Sequence, residues 1–410
     1  MARNANGRVL EQIGIHGIEE VFAAALTPFI KRIRFGGVTV ITPSGGRIIH
    51  HASEAGPEAC IFIHRWRAVR RLILGGDVAF AEAYMNGDWT TPDLTTVIEL
   101  AARNGETLDT AIGGGPLVRG LNRMRHALRA NTKRGSRRNI EAHYDLGNEF
   151  YARWLDASMT YSSAIYTDGA QESLEEAQAR KIACVGDMLD VDNAQSVLEI
   201  GCGWGALGRA LAQRGAHVTG LTLSPSQLAW AQRAADEERL SDRLDLRLQD
   251  YRDARGSFDR IVSIEMIEAV GERYWPDYFN AIAQRLNFGG CAVLQAITIA
   301  DDRFEAYRKA ADFIQRYVFP GGMLPSPSVL AHYAAEAGLK VVQSKTFADS
   351  YALTLAEWRR RMLHAWPQIS AQGFDAKFRR LWEYYLCYCE AGFRAGTIDV
   401  GLYKLVHARP

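Results

Sequence analysis

Apolar runs and amphipathic stretches alternate through the second half of the chain. Five short segments read as strands and lie at residues 196–200, 217–223, 244–249, 260–264 and 291–299. Between them, apolar residues recur at helical spacing over residues 206–214, 226–239 and 275–286. Because strands that alternate with helices form a parallel sheet covered by helices, this pattern predicts an α/β domain with a doubly wound sheet. Ligands of such sheets bind beyond the carboxyl ends of the strands, where the strand order reverses.

The first quarter of the chain carries a different pattern. Two strand-like and two helix-like segments lie at residues 35–42, 59–64, 72–85 and 94–103. They predict a smaller α+β domain over residues 1–103. Consecutive glycines and a proline at residues 112–116 interrupt any regular element, which indicates a boundary nearby. We therefore expect a linker over residues 104–138 and a larger domain over residues 139–410.

Composition and charge narrow the class of protein. The 410 residues include 48 Lys and Arg against 47 Asp and Glu, so no overall field draws the protein to nucleic acid. Six cysteines lack the spacing of a metal site, and no metal is predicted. Scattered cysteines are typical of a reducing cytoplasm. Since no apolar run approaches the roughly 18 residues of a membrane span, we expect a cytoplasmic protein that is soluble or peripheral to the membrane.

One segment of the predicted linker is strongly basic. No acidic residue lies between Asp109 and Glu141, and the segment carries Arg119, Arg123, Arg125, Arg129, Lys133, Arg134, Arg137 and Arg138. Apolar residues thread this run at roughly helical spacing. A basic amphipathic helix can lie on an anionic lipid surface. The alternative is a solvated connector whose apolar stripe packs on its own protein.

A glycine-rich turn follows the first strand of the predicted sheet, with glycines at Gly201, Gly203 and Gly205. Glycine lets the chain turn sharply and lets backbone N–H groups approach a ligand closely. A dinucleotide-binding fold has a similar loop, but it needs an acidic residue near the end of the next strand. Hydroxyl and amide groups stand there instead, at Thr222 and Gln227. This favours S-adenosylmethionine (SAM) over NAD as the ligand.

Carboxylates follow the third and fourth strands. Asp250, with Tyr251 beside it, can accept a hydrogen bond from the exocyclic amine of an adenine, or it can cap a helix. Glu265 and Glu268 are three residues apart, so on a helical turn they share a face. Together they can hold a cation, a base or a polar substrate group. The alternative is that one caps the helix and the other faces water.

Aromatic and polar groups also cluster outside the strands. His143 lies in a dense polar and aromatic stretch, although a structural role is the simpler interpretation for a single histidine. Tyr161 and Ser162 lie in a loop before the sheet. Tyr317 and Tyr351 belong to an aromatic-rich final third, which is typical of a core but also suits a wide apolar slot.

Taken in order, these segments resemble the cyclopropane-fatty-acyl-phospholipid synthase family, the SAM-dependent lipid methyltransferases that include the mycolic acid cyclopropane synthases. The matching motifs are His143-Tyr144-Asp145-Leu146-Gly147-Asn148, Met159-Thr160-Tyr161-Ser162, Glu199-Ile200-Gly201-Cys202-Gly203-Trp204-Gly205, Leu221-Thr222-Leu223-Ser224 with Gln227, Glu268, Arg316-Tyr317-Val318-Phe319-Pro320-Gly321-Gly322, and the stretch 385–393. The resemblance covers residue 139 to the end. Residues 1–103 resemble the smaller N-terminal domain of the bacterial phospholipid enzymes, best at Glu82, Tyr84, Met85, Gly87 and Trp89.

The resemblance implies a Rossmann-like class I methyltransferase sheet and a reaction on the cis double bond of an unsaturated phospholipid acyl chain. The alkene attacks the SAM methyl group, a carbocation forms, and loss of a proton closes a cyclopropane ring. The alkene is a weak nucleophile, so alignment must supply much of the rate. The residues implied to bind SAM are Tyr161, Ser162, Gly201, Gly203, Gly205, Thr222, Leu223, Gln227, Asp250 and Tyr251. His143 and Tyr317 join the implied catalytic set.

The resemblance further implies that the base is a bicarbonate ion in a small pocket. Carried over to this chain, the pocket consists of Ser163, Glu268, Gln295, Ile297 and Tyr351. Ser163 stands where the phospholipid synthases have cysteine, and Gln295 stands where they have histidine. Glutamine still donates a hydrogen bond, but it cannot carry positive charge or relay a proton. This exchange bears on ring closure, so a methyl-branched unsaturated chain is the alternative product.

Three further expectations concern partners and competing functions. We expect the protein to act at the inner face of the cell membrane, with its N-terminal domain docking lipid or mediating a homodimer. A lipid-binding protein that has lost the chemistry is one alternative, and intact glycines, Glu268 and Tyr351 argue against it. A small-molecule methyltransferase is another, but it does not explain the N-terminal domain or the basic linker.

Overall fold

The structure is a computed structural model that describes residues 9–112, 146–191, 195–309 and 312–409. The basic segment from Arg119 to Arg138 and the candidate residue His143 lie outside the described residues.

Strands and helices alternate along much of the described chain. The strands are β1 (Val9–Ile13), β2 (Phe35–Ile41), β3 (Arg47–His51), β4 (Glu54–Ile63), β5 (Trp89–Thr90), β6 (Ser196–Ile200), β7 (His217–Thr222), β8 (Leu244–Leu248), β9 (Phe258–Ile264), β10 (Leu286–Ile299), β11 (Leu339–Thr346) and β12 (Ile398–His407). The helices are α1 (Ile18–Ile30), α2 (Arg67–Met85), α3 (Leu94–Arg103), α4 (Gly105–Ile112), α5 (Asn148–Tyr151), α6 (Leu174–Leu189), α7 (Ala206–Gln213), α8 (Pro225–Glu237), α9 (Ile267–Val270), α10 (Trp275–Arg285), α11 (Asp301–Tyr307), α12 (Phe313–Tyr317), α13 (Pro327–Glu336), α14 (Ala348–His364), α15 (Trp366–Ala371) and α16 (Ala376–Arg394).

The chain divides into two compact units. The first unit comprises Met1–Arg125, Ala310–Phe313 and Trp366–Thr397, and the second comprises His126–Lys309, Ile314–Ala365 and Ile398–Pro410. Residues 366–397 therefore group with the first unit, although they fall within the span expected for the larger domain. The linear boundaries at residues 103 and 138 stay predictions, because residues 113–145 are not among those described.

The first unit is built on a five-stranded sheet in the order β1-β3-β2-β4-β5, in which only the β2–β4 pair is parallel. Helix α16 packs on α3, where the Thr95 hydroxyl donates to the buried Glu390 carboxylate at 3.0 Å. Close packing of this kind joins segments almost 300 residues apart. The predicted strands and helices of the first quarter are present, and β1, β3, β5 and α1 are additional to them.

The second unit is built on a seven-stranded sheet in the order β11-β12-β10-β9-β6-β7-β8. Strands β6 to β10 run parallel, which confirms the predicted α/β class. Strand β12 is antiparallel to β10, and β11 pairs antiparallel with β12 at the edge of the sheet, so β12 alone runs against the parallel strands. Strand β6 lies between β7 and β9, so the strand order reverses there. The loops after β6 and β9 therefore border the crevice where ligands of such sheets bind.

Apolar side chains cover both faces of this sheet. Trp275, Phe279 and Ile282 of α10 belong to one buried cluster, and Val185 and Leu211 belong to the other. Burial on both faces explains why the central strand β6 is largely buried, whereas the edge strand β8 alternates buried Leu244 and Leu246 with exposed Asp245 and Arg247. Within the described part of the chain, no helix combines the length and apolar character that a membrane crossing needs.

Candidate active site

The glycine-rich turn after β6 has a left-handed backbone. The φ angles of Gly201, Gly203 and Gly205 are 83°, 53° and 82°. A Cβ atom on Gly201 would lie 2.9 Å from the Met266 side chain, and one on Gly205 would lie 2.9 Å from Ala231. A Cβ atom on Gly203 would meet nothing within 4 Å. Packing therefore requires two of the glycines, whereas the backbone of the third faces open space that a ligand can enter.

A short network joins this turn to the loop after β7. Trp204 Nε1 donates to Asn148 Oδ1 at 2.9 Å, and Asn148 Nδ2 donates to the Ser226 carbonyl oxygen at 3.1 Å. The Thr222 hydroxyl donates to Gln227 Oε1 at 3.0 Å, and both residues are buried. Thr222 and Gln227 are thus held together beside the glycine turn. Their neighbour Leu223 is half-buried.

Asp250 caps the short 3₁₀ turn after β8. Its carboxylate accepts from the Arg252 backbone N–H at 3.0 Å and from the Arg252 guanidinium at 2.8 and 2.6 Å. The Tyr251 ring packs edge-on against Tyr278, with 5.6 Å between the ring centroids, and burial raises the pKa of Tyr251. A contact from Asp250 to an adenine would therefore add to an ion pair that is already formed.

Glu265 is the centre of the pocket that follows β9. Its Oε1 accepts from the Ser163 backbone N–H at 2.8 Å and from Gln295 Nε2 at 2.6 Å. Its Oε2 accepts from the Tyr351 hydroxyl at 2.5 Å. The donors come from the loop before α6, from β10 and from α14, so three separate elements converge on one carboxylate. Burial raises the pKa of Glu265, and the hydrogen bonds from Tyr351, Ser163 and Gln295 oppose that rise.

Glu268 and Ile297 form a second pair in the same region. Glu268 Oε1 accepts from the Ile297 backbone N–H at 2.6 Å, whereas its buried Oε2 has no hydrogen-bond partner among the described residues. Burial, together with the charge of Glu265, raises the pKa of Glu268 to about 8. Of the five pocket residues implied by the resemblance, three therefore meet Glu265, and Ile297 meets Glu268.

Glu265, whose role the sequence leaves open, is thus the residue on which the hydrogen bonds of the pocket converge. Glu265 was one of two carboxylates after the fourth strand, and the resemblance selected Glu268 alone. The available signal was its position directly after β9, at the carboxyl end of a central strand. The structure adds an observation that the sequence does not contain, since Glu265 has a φ of 48°. Non-glycine residues rarely adopt this left-handed conformation.

A buried lysine lies close to this pocket. Lys181 is 3% exposed, and its Nζ donates to the Ser162 hydroxyl at 2.7 Å. Burial lowers the pKa of Lys181 to about 8, and the nearby charges of Glu265, Asp156 and Glu199 oppose that shift. Sequence reasoning missed this lysine because it lies in α6 among other charged residues. It supplies positive charge in a region of several carboxylates.

Aromatic rings line the loop that carries Ser162 and Ser163. Tyr161 packs against Tyr151, Trp154 and Trp358 with centroid separations of 5.4, 5.5 and 5.3 Å. Tyr151 also packs against Trp204 of the glycine turn at 5.2 Å. The cluster therefore runs from the glycine turn to α14. Ring faces of this kind stabilise a nearby cation without supplying water.

Tyr317 ends α12, half-buried, with the Arg316 guanidinium 5.5 Å from its ring centroid. The loop that follows returns to the pocket, where the Met323 N–H donates to the Glu268 carbonyl oxygen at 2.8 Å. This loop holds the backbone of Glu268 in place. The remaining candidate, His143, is not among the described residues.

Comparison with known proteins places this chain in a family of lipid enzymes. A family model described as mycolic acid cyclopropane synthetase matches residues 131–402. The tuberculostearic acid methyltransferase of Mycobacterium tuberculosis is 39% identical over 369 residues, which cover 85% of this chain and 84% of that protein. The cyclopropane-fatty-acyl-phospholipid synthase of Escherichia coli is 33% identical over 348 residues, which cover 83% and 85%. A solved mycolic acid cyclopropane synthase, complexed with SAH and CTAB, is 29% identical with a TM-score of 0.61, and the match covers 66% of this chain and 97% of that one.

Proposed function

Because the chain belongs to the mycolic acid cyclopropane synthetase family, whose members are SAM-dependent methyltransferases, we propose that it methylates the cis double bond of an unsaturated acyl chain in a membrane phospholipid. SAM is its cofactor. The observation that carries the proposal is the carboxylate pocket of Glu265, which lies at the carboxyl end of β9, next to the strand that bears the glycine turn.

The residues present fit SAM. The backbone of Gly203 faces open space, and Thr222 and Gln227 lie together beside the turn. Bound SAM supplies an electrophilic methyl group. The glycine turn and the loop after β7 would hold it where the strand order of the sheet reverses, which is where doubly wound folds bind their ligands.

The pocket suits a cationic intermediate on the acyl chain. Transfer of a methyl group to one alkene carbon leaves positive charge on the other. The Glu265 and Glu268 carboxyl groups and the aromatic cluster around Tyr161 offer that charge preorganised electrostatic stabilisation. Apolar and aromatic packing keeps out water, which would otherwise trap the cation as an alcohol.

The cation can lose a proton from the added methyl group or from a carbon next to the cationic centre, and we favour the second route, which leaves a methyl-branched unsaturated chain. Gln295 is the feature that supports this outcome, because its amide cannot relay a proton as a histidine does. The relative at 39% identity is a tuberculostearic acid methyltransferase, which also supports it.

Ring closure to a cyclopropane is the second candidate. Glu268, Ile297 and Tyr351 match the residues that the resemblance to the phospholipid synthases assigns to the pocket. The E. coli relative, a cyclopropane-fatty-acyl-phospholipid synthase, supports this outcome.

NMR of the acyl product distinguishes the two outcomes. The purified protein would be incubated with SAM and vesicles of a cis-monounsaturated phospholipid. We expect a new methyl signal with an olefin retained. Upfield ring-methylene protons with loss of the olefin would instead establish cyclopropane formation. Mass alone cannot decide, because both products add one CH₂ to the substrate. Absence of any SAH release would contradict the proposed function itself.

We also propose that the enzyme meets its substrate at the inner face of the cell membrane, through the basic segment from Arg119 to Arg138. Clustered basic residues attract anionic lipid over about one Debye length. Binding to anionic vesicles should therefore weaken as salt is raised and as these arginines are replaced by glutamine. Binding that does not change with salt would contradict this role.

A further inference from the structure

The most informative feature outside the expected set of site residues is Glu265. We propose that the Glu265 carboxylate is the base of this enzyme and takes the place of the bicarbonate ion that the resemblance implies. This inference rests on the proposed function, since it concerns the proton that is lost after methyl transfer.

The pocket does not fit a bicarbonate ion, because its donors are already engaged. The Ser163 N–H, the Gln295 amide and the Tyr351 hydroxyl are three of the five groups expected to hold the ion, and all three donate to Glu265 at 2.5 to 2.8 Å. The Ile297 N–H donates to Glu268 instead. Four of the five expected contacts are thus made by carboxylates of the chain itself.

A carboxylate is also the correct chemical substitute. Bicarbonate and a glutamate side chain both present two oxygens on a planar carbon, and both accept hydrogen bonds in that plane. The donors that would orient the ion therefore orient Glu265. An additional anion in the pocket would face two glutamates and would be repelled by any that are ionised.

The backbone of Glu265 is held in an unfavourable conformation. A φ of 48° at a non-glycine residue costs roughly 1–3 kcal/mol. Strain of this kind persists where surrounding contacts fix it, and here three hydrogen bonds from separate elements do so. This backbone conformation places the carboxylate among its three donors after β9, which supports a functional role for the residue.

The electrostatic surroundings suit a base. Burial raises the pKa of Glu265, so its carboxylate is a stronger proton acceptor than one in water. Lys181 and the three hydrogen-bond donors oppose that rise and favour the ionised form that a base requires. Glu265 as a whole residue is half-buried, and it follows β9 directly at the carboxyl end of a central strand.

The proton balance of the step is complete. A bond forms between the methyl carbon and one alkene carbon while the methyl–sulfur bond breaks, and SAH retains the electron pair. Glu265 then takes a proton from a carbon next to the cationic centre, and the C–H electron pair becomes the new double bond. If the proton comes from the added methyl group, the same pair closes the ring. The protonated Glu265 returns its proton to solvent after product release.

The test combines three variants with bicarbonate-depleted buffer. Glu265→Gln keeps the shape of the side chain but removes the base, so formation of the deprotonated product should fall by on the order of 10²- to 10⁴-fold. The cation then persists longer, and any water that reaches it would add to the cationic carbon, so a methyl-branched alcohol is the expected side product. Glu265→Gly empties the pocket and relaxes the backbone, because glycine tolerates a φ of 48°. Asp190→Gly is the matched control, since Asp190 is an exposed acid with a φ of 53° away from the pocket.

Binding of isotope-labelled bicarbonate, followed by NMR, gives a readout that does not depend on turnover. We expect the wild-type protein to turn over without bicarbonate and to bind none. Glu265→Gly should bind the ion and regain product when bicarbonate is added, whereas Asp190→Gly should match the wild type. SAM binding by each variant establishes that it has folded.

Two results would overturn the inference. Bicarbonate binding to the wild-type protein, or turnover that requires bicarbonate, would assign the base to the ion and leave the proposed function intact. Failure of the wild-type protein to release SAH from unsaturated vesicles, with or without bicarbonate, would overturn the proposed function and the role of Glu265 together.

Discussion

Tyr351 donates its hydroxyl hydrogen to Glu265 Oε2 across 2.5 Å, although the two residues are 86 positions apart in the chain. This hydrogen bond lowers the pKa of Glu265 against the effect of burial. Tyr351→Phe should therefore raise that pKa and shift the acidic limb of the pH–rate profile to higher pH. Because a hydrogen bond to a charged group is worth about 1.5–3 kcal/mol, turnover should fall about 10- to 100-fold.

Tyr403→Phe is the control for that variant. Tyr403 is buried in β12, and its hydroxyl is hydrogen-bonded to Thr298 rather than to the pocket. We expect its pH–rate profile to overlay that of the wild type. An unshifted acidic limb in Tyr351→Phe would contradict the contribution of Tyr351 to the ionisation of Glu265.

Gln295→Glu should destabilise the protein most at alkaline pH. The change places a second carboxylate where the Gln295 amide now donates to Glu265 at 2.6 Å. A buried charge without a compensating partner costs about 3–5 kcal/mol, and protonation of one acid at low pH relieves part of that cost. Urea denaturation at pH 8 and pH 5.5 measures the difference.

The surface offers a matched control for that variant. Gln213 is exposed and donates to Glu238 at 2.8 Å, so Gln213→Glu makes the same change in solvent. We expect a cost below about 0.5 kcal/mol at either pH. Equal costs at the two sites would show that the Glu265 pocket is not electrostatically distinctive.

Gly203→Ala should weaken SAM binding without a matching loss of stability. The Cβ atom would enter the open space that we assign to SAM, and the φ of 53° adds strain of about 1–2 kcal/mol. Gly256 has a φ of 85° and similar free space, so Gly256→Ala carries comparable strain away from the glycine turn. Calorimetric titration should give an affinity at least tenfold lower for Gly203→Ala and an unchanged affinity for Gly256→Ala.

The free energy of unfolding should fall as pH rises from about 4.5 to about 8. Burial raises the pKa of Glu268 from its usual 4.5 to about 8, so the folded state keeps a proton that the unfolded state releases over this interval. Glu199 contributes in the same direction, because burial also raises its pKa to about 8. Lys181, whose pKa is lowered to about 8, contributes the opposite slope only above that pH.

Glu268→Gln tests this assignment. The amide oxygen can still accept from the Ile297 N–H, but the side chain no longer titrates. The fall in unfolding free energy between pH 5.5 and pH 8 should be smaller than in the wild type. A fall of the same size would mean that Glu268 does not hold a proton in the folded state.

The sequence predicted the parts of this protein that depend on local pattern. The five parallel strands, the helices between them and the positions of Gly201, Gly203 and Gly205 follow from apolar periodicity and glycine placement. Strands β11 and β12 were not predicted, because β11 is largely exposed and both pair in an antiparallel manner after long helical insertions. A pattern of alternating strands and helices contains no signal for such additions.

Long-range relationships lay beyond the sequence. Periodicity predicts α16 as a helix but does not indicate that it packs on α3 in the first unit. The role of Lys181 depends on burial beside Ser162, which its sequence neighbours do not indicate. Glu265 was visible as an acid at the end of a strand, but its three donors come from three distant segments.

The left-handed backbone at position 265 has an evolutionary consequence. Glycine adopts a φ of 48° without strain, and glutamate and glycine codons can differ by a single nucleotide. If Glu265 is the base, one point mutation would exchange a chain that carries its own carboxylate for one whose pocket is vacant and must recruit an anion from solution. Dependence on dissolved carbon dioxide is, on this view, a trait that members of the family can gain or lose in one mutational step.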